Sequence, residues 1–313
     1  MYPDWLLGVE FFCFGLIFGS FLNVCIYRLP RGLSVVRPRS ACPSCGTPIS
    51  AFDNIPVLSW LLLRGRCRHC HARITPRYAV VELLCGVLFL LSFLHADSMA
   101  EAVKGCVLCF LLLGLTFTDA ETHLLPDAMT LPGLGAALVF SYFSLVPGPA
   151  YRIFPLDYGG TYSSLQLDWQ LGWRSLVNAL LGAAIGAGTL YVVGWIYLVL
   201  RKVEGMGLGD LKLMAMAGAF LGPVLTVFVL CTASLAGGAY GILVLLTVFR
   251  KRWGRYRRRM GAQAAPRAWR AAQTAMRSVE IPFGVFLCAM SIVAWLYGVP
   301  LIRGYLGLFP FSG

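Results

Sequence analysis

Eight apolar stretches punctuate this chain, at 5–26, 78–94, 102–118, 128–146, 176–200, 211–221, 224–249 and 281–301. Most approach the roughly 20 residues a helix needs to cross the hydrocarbon core of a bilayer. In lipid every backbone polar group must be satisfied within the protein, so repeated runs of this kind leave helices as the natural solution. The 313 residues are 58% hydrophobic and only 13% charged, about half the roughly 25% charge of soluble domains. We therefore expect an all-α polytopic membrane protein with about eight transmembrane helices. The first stretch has no basic residue ahead of it, and its arginines follow it, so it reads as a retained helix rather than a cleaved signal.

Charge sets the expected orientation. With eight crossings, the connections at 28–77, 119–127, 201–212 and 250–277 fall on one side and hold 22 of the 26 Lys and Arg residues. The other side holds Lys104, Arg152, Arg174 and Arg303. Basic loops stay in the cytoplasm, which places both termini outside. The net charge of +12 is thereby a matter of topology, and no nucleic-acid partner is expected. The sixth stretch, 211–221, rises only about 16 Å and is expected to be a short or broken helix lining a protein interior. The long basic connection at 250–277 reads as a topological anchor in contact with anionic lipid, or as a dock for other machinery.

The first cytoplasmic connection carries C-P-S-C at 42–45 and C-R-H-C at 67–70, with 21 residues between them. Two C-x-x-C pairs at this spacing suit tetrahedral coordination of zinc by Cys42, Cys45, Cys67 and Cys70. A disulfide pair, an iron site and free thiols are the alternatives, and a cytoplasmic location disfavours the disulfide. Four cysteines complete a shell, so the role expected is structural, and His69 and His71 read as loop histidines. The remaining seven cysteines lack ligand spacing and read as small hydrophobes. The chain thus divides into a first transmembrane helix (1–26), a cytoplasmic tetracysteine insertion (27–77) and a membrane-embedded core (78–313) that includes the basic loop 250–280.

Two acidic stations stand at the mouths of apolar stretches, where an ionisable group is a functional candidate. One is E-G-M-G-L-G-D-L-K at 204–212, in which Asp210 follows Gly205, Gly207 and Gly209. The other is T-D-A-E-T-H-L-L-P-D at 118–127. Both fall on the cytoplasmic side of the expected topology, so Asp119 and Asp210 can meet from different helices. Two carboxylates held close cannot both ionise easily, and such a pair can activate water against an amide. Asp119 is preferred as the catalytic acid of its station, with Asp127 as a helix cap and Glu121 as a solvated charge. Glu82, near the start of the second stretch, either faces the bundle interior or sits at the interface near Arg73 or Arg77.

Taken together and in order, these motifs resemble the type IV prepilin peptidases. The likeness rests on G-S-F-L-N-V-C-I-Y-R-L-P at 19–30, the paired C-x-x-C knuckles, N-I-P-V-L-S-W at 54–60 and R-Y-A-V-V-E at 77–82. It continues through L-P-D-A-M-T-L-P at 125–132, E-G-M-G-L-G-D-L-K and I-P-F-G at 281–284. The resemblance implies a bifunctional enzyme of the bacterial inner membrane, with Asp119 and Asp210 as the catalytic pair, Gly207 and Gly209 in the active-site motif, and the four cysteines as the family's zinc-type motif. It implies cleavage of prepilins and pseudopilins after the glycine that ends a short basic leader. Methylation of the new N-terminus from S-adenosylmethionine would follow. Partners would then be those substrates, the lipid bilayer, and pilus or type II secretion machinery.

No nucleotide-binding fingerprint accompanies the methyltransferase reading, since the glycines at 205–209 lie between membrane helices rather than in a βαβ unit. The residues that bind S-adenosylmethionine stay unassigned. Another substrate for the same two-aspartate design, a peptidase without methylation, and a non-enzymatic transporter or assembly scaffold are the competing readings.

Overall fold

The computed structural model describes residues 3–143, 169–202, 207–260, 268–269, 271, 274 and 282–307. The architecture is almost wholly helical: α1 (Asp4–Arg28), the short α2 (Leu58–Leu62), α3 (Arg77–Leu94), α4 (Met99–Thr122), α5 (Asp127–Phe143), α6 (Trp169–Arg201), α7 (Leu208–Leu221), α8 (Pro223–Met260) and α9 (Phe283–Leu306). Among the described residues the only β-structure is a pair of isolated bridges in the insertion between α1 and α3. Six helices, α1, α3, α4, α6, α8 and α9, are long and apolar enough to cross a membrane. The other two expected crossings fall short of that length: α5 has 17 described residues and α7 has 14.

Why α7 is short follows from where it sits. It packs against α4, α5, α6, α8 and α9, and nearly all residues from Leu213 to Leu221 are buried. A helix apolar on all sides belongs in an interior. Protein rather than lipid surrounds it, so its length of about 21 Å need not match the bilayer. It ends at Gly222, whose φ of +77° is a left-handed value that disfavours any side chain, and α8 begins at the next residue.

Small residues set the closest helix approach. A Cβ added at Gly182 of α6 would strike the Gly218 carbonyl of α7, and one added at Gly218 would strike the Gly182 carbonyl. Backbone this close tolerates no side chain, the usual signature of tight packing in membranes. We expect Gly218→Leu to lose the folded protein, with a destabilisation above about 4 kcal/mol, checked by thermal unfolding in micelles.

Two boundaries differ from the sequence reading. α8 runs on to Met260 rather than stopping near residue 249, so the basic segment from Arg250 begins as helix. Its Arg and Lys residues are good helix formers and extend the apolar helix beyond the hydrophobic run. α6 likewise begins at Trp169, ahead of its apolar stretch. The expected readings that concern residues 145–168, Glu204, Gly205, Ile281 and most of 261–281 lie outside the described residues.

Candidate active site and tetracysteine centre

Three helix ends converge at one point. Asp119 lies in the last turn of α4, Asp210 in the first turn of α7, and Gly284 and Val285 in the first turn of α9. Thus α4 runs opposite to the other two. The Val285 N–H donates to Asp119 Oδ2 at 2.9 Å. A Cβ on Gly284 would lie 2.8 Å from Asp119 Oδ2 and 3.4 Å from Asp210 Oδ1, so the two carboxylate oxygens stand within about 6 Å of each other. That arrangement brings together residues 91 positions apart in sequence. Asp119 is only 6% exposed. The N-terminus of α9 offers its free amides and the positive end of its dipole to the pair.

The surrounding motifs hold this geometry. Gly209 packs on the chain before α5, where its Cβ would lie 3.1 Å from Leu125 Cβ. Gly207 is the extended N-cap of α7 and accepts the Asp210 N–H at 3.2 Å. Only the Gly209 nitrogen, at an ordinary 3.9 Å, lies near its own Cβ position, so close packing accounts for Gly209 alone. The α4 helix stops at His123, which adopts the left-handed conformation at φ +53° usual for a helix C-terminus. Neither of the other acids in this station joins the pair. Lys212 donates to both oxygens of Asp127, at 2.7 and 2.8 Å, tying α7 to the first residue of α5. Asp127 therefore stands at the N-terminus of α5 and also holds a cation from α7. Glu121 is exposed as expected, but it lies in the last turn of α4 rather than in the loop and pairs with Arg77 at the start of α3.

Gly284 and Val285 had no role in the sequence reading, although I-P-F-G was noted. The available signal was positional: a proline and a glycine at the entrance of an apolar helix, where free amides accumulate.

Arg77 also places the cysteine insertion at the same end of the bundle, because the insertion runs directly into α3. Its four sulfurs lie within 4.8 Å of one another, and Cys42 Sγ is 3.8 Å from Cys70 Sγ. A tetrahedral zinc with bonds of about 2.3 Å requires sulfur separations of about 3.8 Å, so the donor set fits that ion. The two knuckles share one backbone plan. Cys42 and Cys67 donate to Thr47 and Ala72 carbonyls, while Gly46 and His71 donate back to the two leading cysteines. Gly46 and His71 both have positive φ, +70° and +54°. His71 thus holds the left-handed position that glycine holds in the first knuckle, and no histidine joins the sulfur cluster. Hydrogen bonding with Thr47 draws the Cys45 thiol down to about 6, whereas desolvation and its three cysteine neighbours push Cys70 up to about 11. A bidentate Asp53–Arg68 pair fastens the second knuckle to the middle of the insertion and holds the Asp53 carboxyl below its usual range.

Comparison with known proteins agrees with this layout. The chain matches two family models: the bacterial peptidase A24 N-terminal domain over residues 13–96 and the type IV leader peptidase family over residues 106–242. A protein named prepilin leader peptidase/N-methyltransferase from Aeromonas salmonicida (strain A449) is 33% identical over 327 aligned residues, covering 96% of this chain and 94% of its own. Proteins of the same name from Myxococcus xanthus (strain DK1622), 39% identical over 78% of this chain and 65% of theirs, and from Neisseria gonorrhoeae, 36% identical over 77% and 82%, are also similar. No solved structure matches. Two consecutive family models and relatives aligned nearly end to end leave one conclusion: the chain belongs to the type IV leader peptidase family.

Proposed function

We propose that this protein is a prepilin peptidase in which Asp119 and Asp210 are the catalytic pair, and that it also methylates the new N-terminus. The observation that carries the reading is the convergence of both carboxylates on the first turn of α9. One aspartate keeps a proton while the other, as base, takes a proton from water. The water attacks the scissile carbonyl while the protonated partner gives its proton to the developing oxyanion; as the C–N bond breaks, the first aspartate passes the proton it took from water to the leaving amine, and the partner recovers its own from the gem-diol hydroxyl. The Val285 amide fixes the orientation of the Asp119 carboxylate throughout.

The substrates are prepilins or pseudopilins, cut where the leader ends at the cytoplasmic face. That side is favoured by the basic loops, and it places both termini in the periplasm. Pilus or secretion machinery supplies the partners. The domain division at residues 26 and 77 belongs to the same reading, with the insertion as a separate structural module. Cys42, Cys45, Cys67 and Cys70 hold a structural zinc, which closes a loop too small for its own core. We expect Cys67→Ser to lower bound zinc well below one ion per chain and His71→Gly to keep it, as read by elemental analysis. S-adenosylmethionine is the methyl donor, used as a second substrate.

The test is the intact mass of a prepilin incubated with enzyme and S-adenosylmethionine. Loss of the leader together with a gain of about 14 Da, one CH2, is the expected product. Leader loss alone would keep the peptidase and remove the methyltransferase. An unchanged substrate, across several pilins and with folded enzyme, would favour a transport or scaffold role.

A further inference from the structure

The insertion does not stand clear of the membrane helices. Glu82 is buried, five residues into α3 and therefore about 7.5 Å below its first residue. It packs on α1, where a Cβ on Gly19 would lie 2.7 Å from Glu82 Cα. Yet its carboxylate accepts the backbone N–H of Val57, at 2.7 Å, from within the insertion. Gly19 itself lies nine residues, about 14 Å, below the end of α1. The chain at Val57 therefore lies beside the first turns of α3 and below the end of α1.

The polarity of this segment is inverted. Ser59 is the buried residue of α2, while Leu61 and Leu62 are 58% and 74% exposed and Ile55 and Leu58 are also exposed. Its polar groups are satisfied internally: the Ser59 hydroxyl donates to the Phe52 carbonyl and accepts the Ile55 N–H, and Trp60 Nε1 donates to the Ile74 carbonyl. Exposed Arg64 and Arg66 follow at once. In water such a leucine face would be costly. At a bilayer surface the same arrangement is favourable, because leucines enter the acyl boundary and arginines meet phosphates. Irregular backbone at that depth is tolerated where protein groups satisfy it.

We propose that residues 55–62 form an interfacial wedge, with their leucines seated in the acyl region of the leaflet on the side of the aspartates and Arg64 and Arg66 at its anionic headgroups. The cysteine centre is thereby keyed into the membrane through Glu82. This does not depend on the peptidase reading.

Photocrosslinking of the full chain in nanodiscs containing phosphatidylglycerol tests the wedge. Benzoylphenylalanine is placed singly at Leu61, at Trp5 of α1 (70% exposed) and at exposed Ser44 of the first knuckle. Intact mass after irradiation should show a lipid-mass adduct for the Leu61 and Trp5 positions and none for Ser44. An adduct at Trp5 with none at Leu61 would overturn the proposal. So would transfer of the Leu61 crosslink to an added prepilin in place of lipid, which would make the face a substrate dock.

Discussion

Asp210→Asn enzyme is expected to insert and fold as the wild type does but to cleave prepilin about 10⁴-fold more slowly, the scale of a positioned acid–base group. Asn keeps the shape of the side chain and removes the ionisable proton, so the loss reports chemistry rather than packing. Asp119→Asn should give a loss of similar size. It also exchanges one carboxylate oxygen for an NH2 group, and an amide turned the wrong way would oppose the Val285 N–H that now bonds Asp119 Oδ2. The double variant should be barely slower than either single one, because residues that act as a unit are strongly non-additive. Steady-state cleavage rates of all three, at equal amounts of folded enzyme, check this. Losses that multiply would mean that the two acids act independently.

Gly284→Val carries the second largest effect. A Cβ alone would lie 2.8 Å from Asp119 Oδ2, closer than real Cβ contacts come, and 3.4 Å from Asp210 Oδ1. Valine adds two methyl groups in the space where the carboxylates and their water must meet. They can move only by breaking the Val285 hydrogen bond or by parting, and a displacement of about 1 Å can cost 10²-fold in rate. We expect Gly284→Ala to lose about 10²-fold and Gly284→Val about 10³-fold or more, with zinc content unchanged. Full activity in Gly284→Val would show that the first turn of α9 does not border the reacting groups.

The resulting picture explains why the fold was so legible and the site less so. Apolar runs set helix positions directly, because lipid and a dry interior both demand them, and each of the eight runs overlaps one helix. Crossing count was harder to read. Hydrophobicity alone cannot distinguish α7, enclosed by protein, from a helix facing lipid, and only packing shows why 14 residues suffice there. Asp119, Asp210 and the four cysteines announced themselves as charges or thiols in special places. Gly284 did not, since its part is to be absent: it keeps a side chain out of the space between two acids. The environment of Glu82 was hidden for a different reason. Its partner, Val57 N–H, is a backbone group that no residue type reveals. Asp127 shows the converse, an acid whose position suggested a cap but whose nearest cation, Lys212, comes from another helix.

The most direct measurement is a single cleavage assay on Asp119→Ala, Asp127→Ala and Asp210→Ala enzymes beside the wild type, read by the mass of the prepilin product. Leader removal should persist with Asp127→Ala, which loses only the Lys212 pair, and vanish with Asp119→Ala and Asp210→Ala. Cleavage that survives Asp119→Ala would contradict the account and move the catalytic role away from the carboxylate that α9 holds in place.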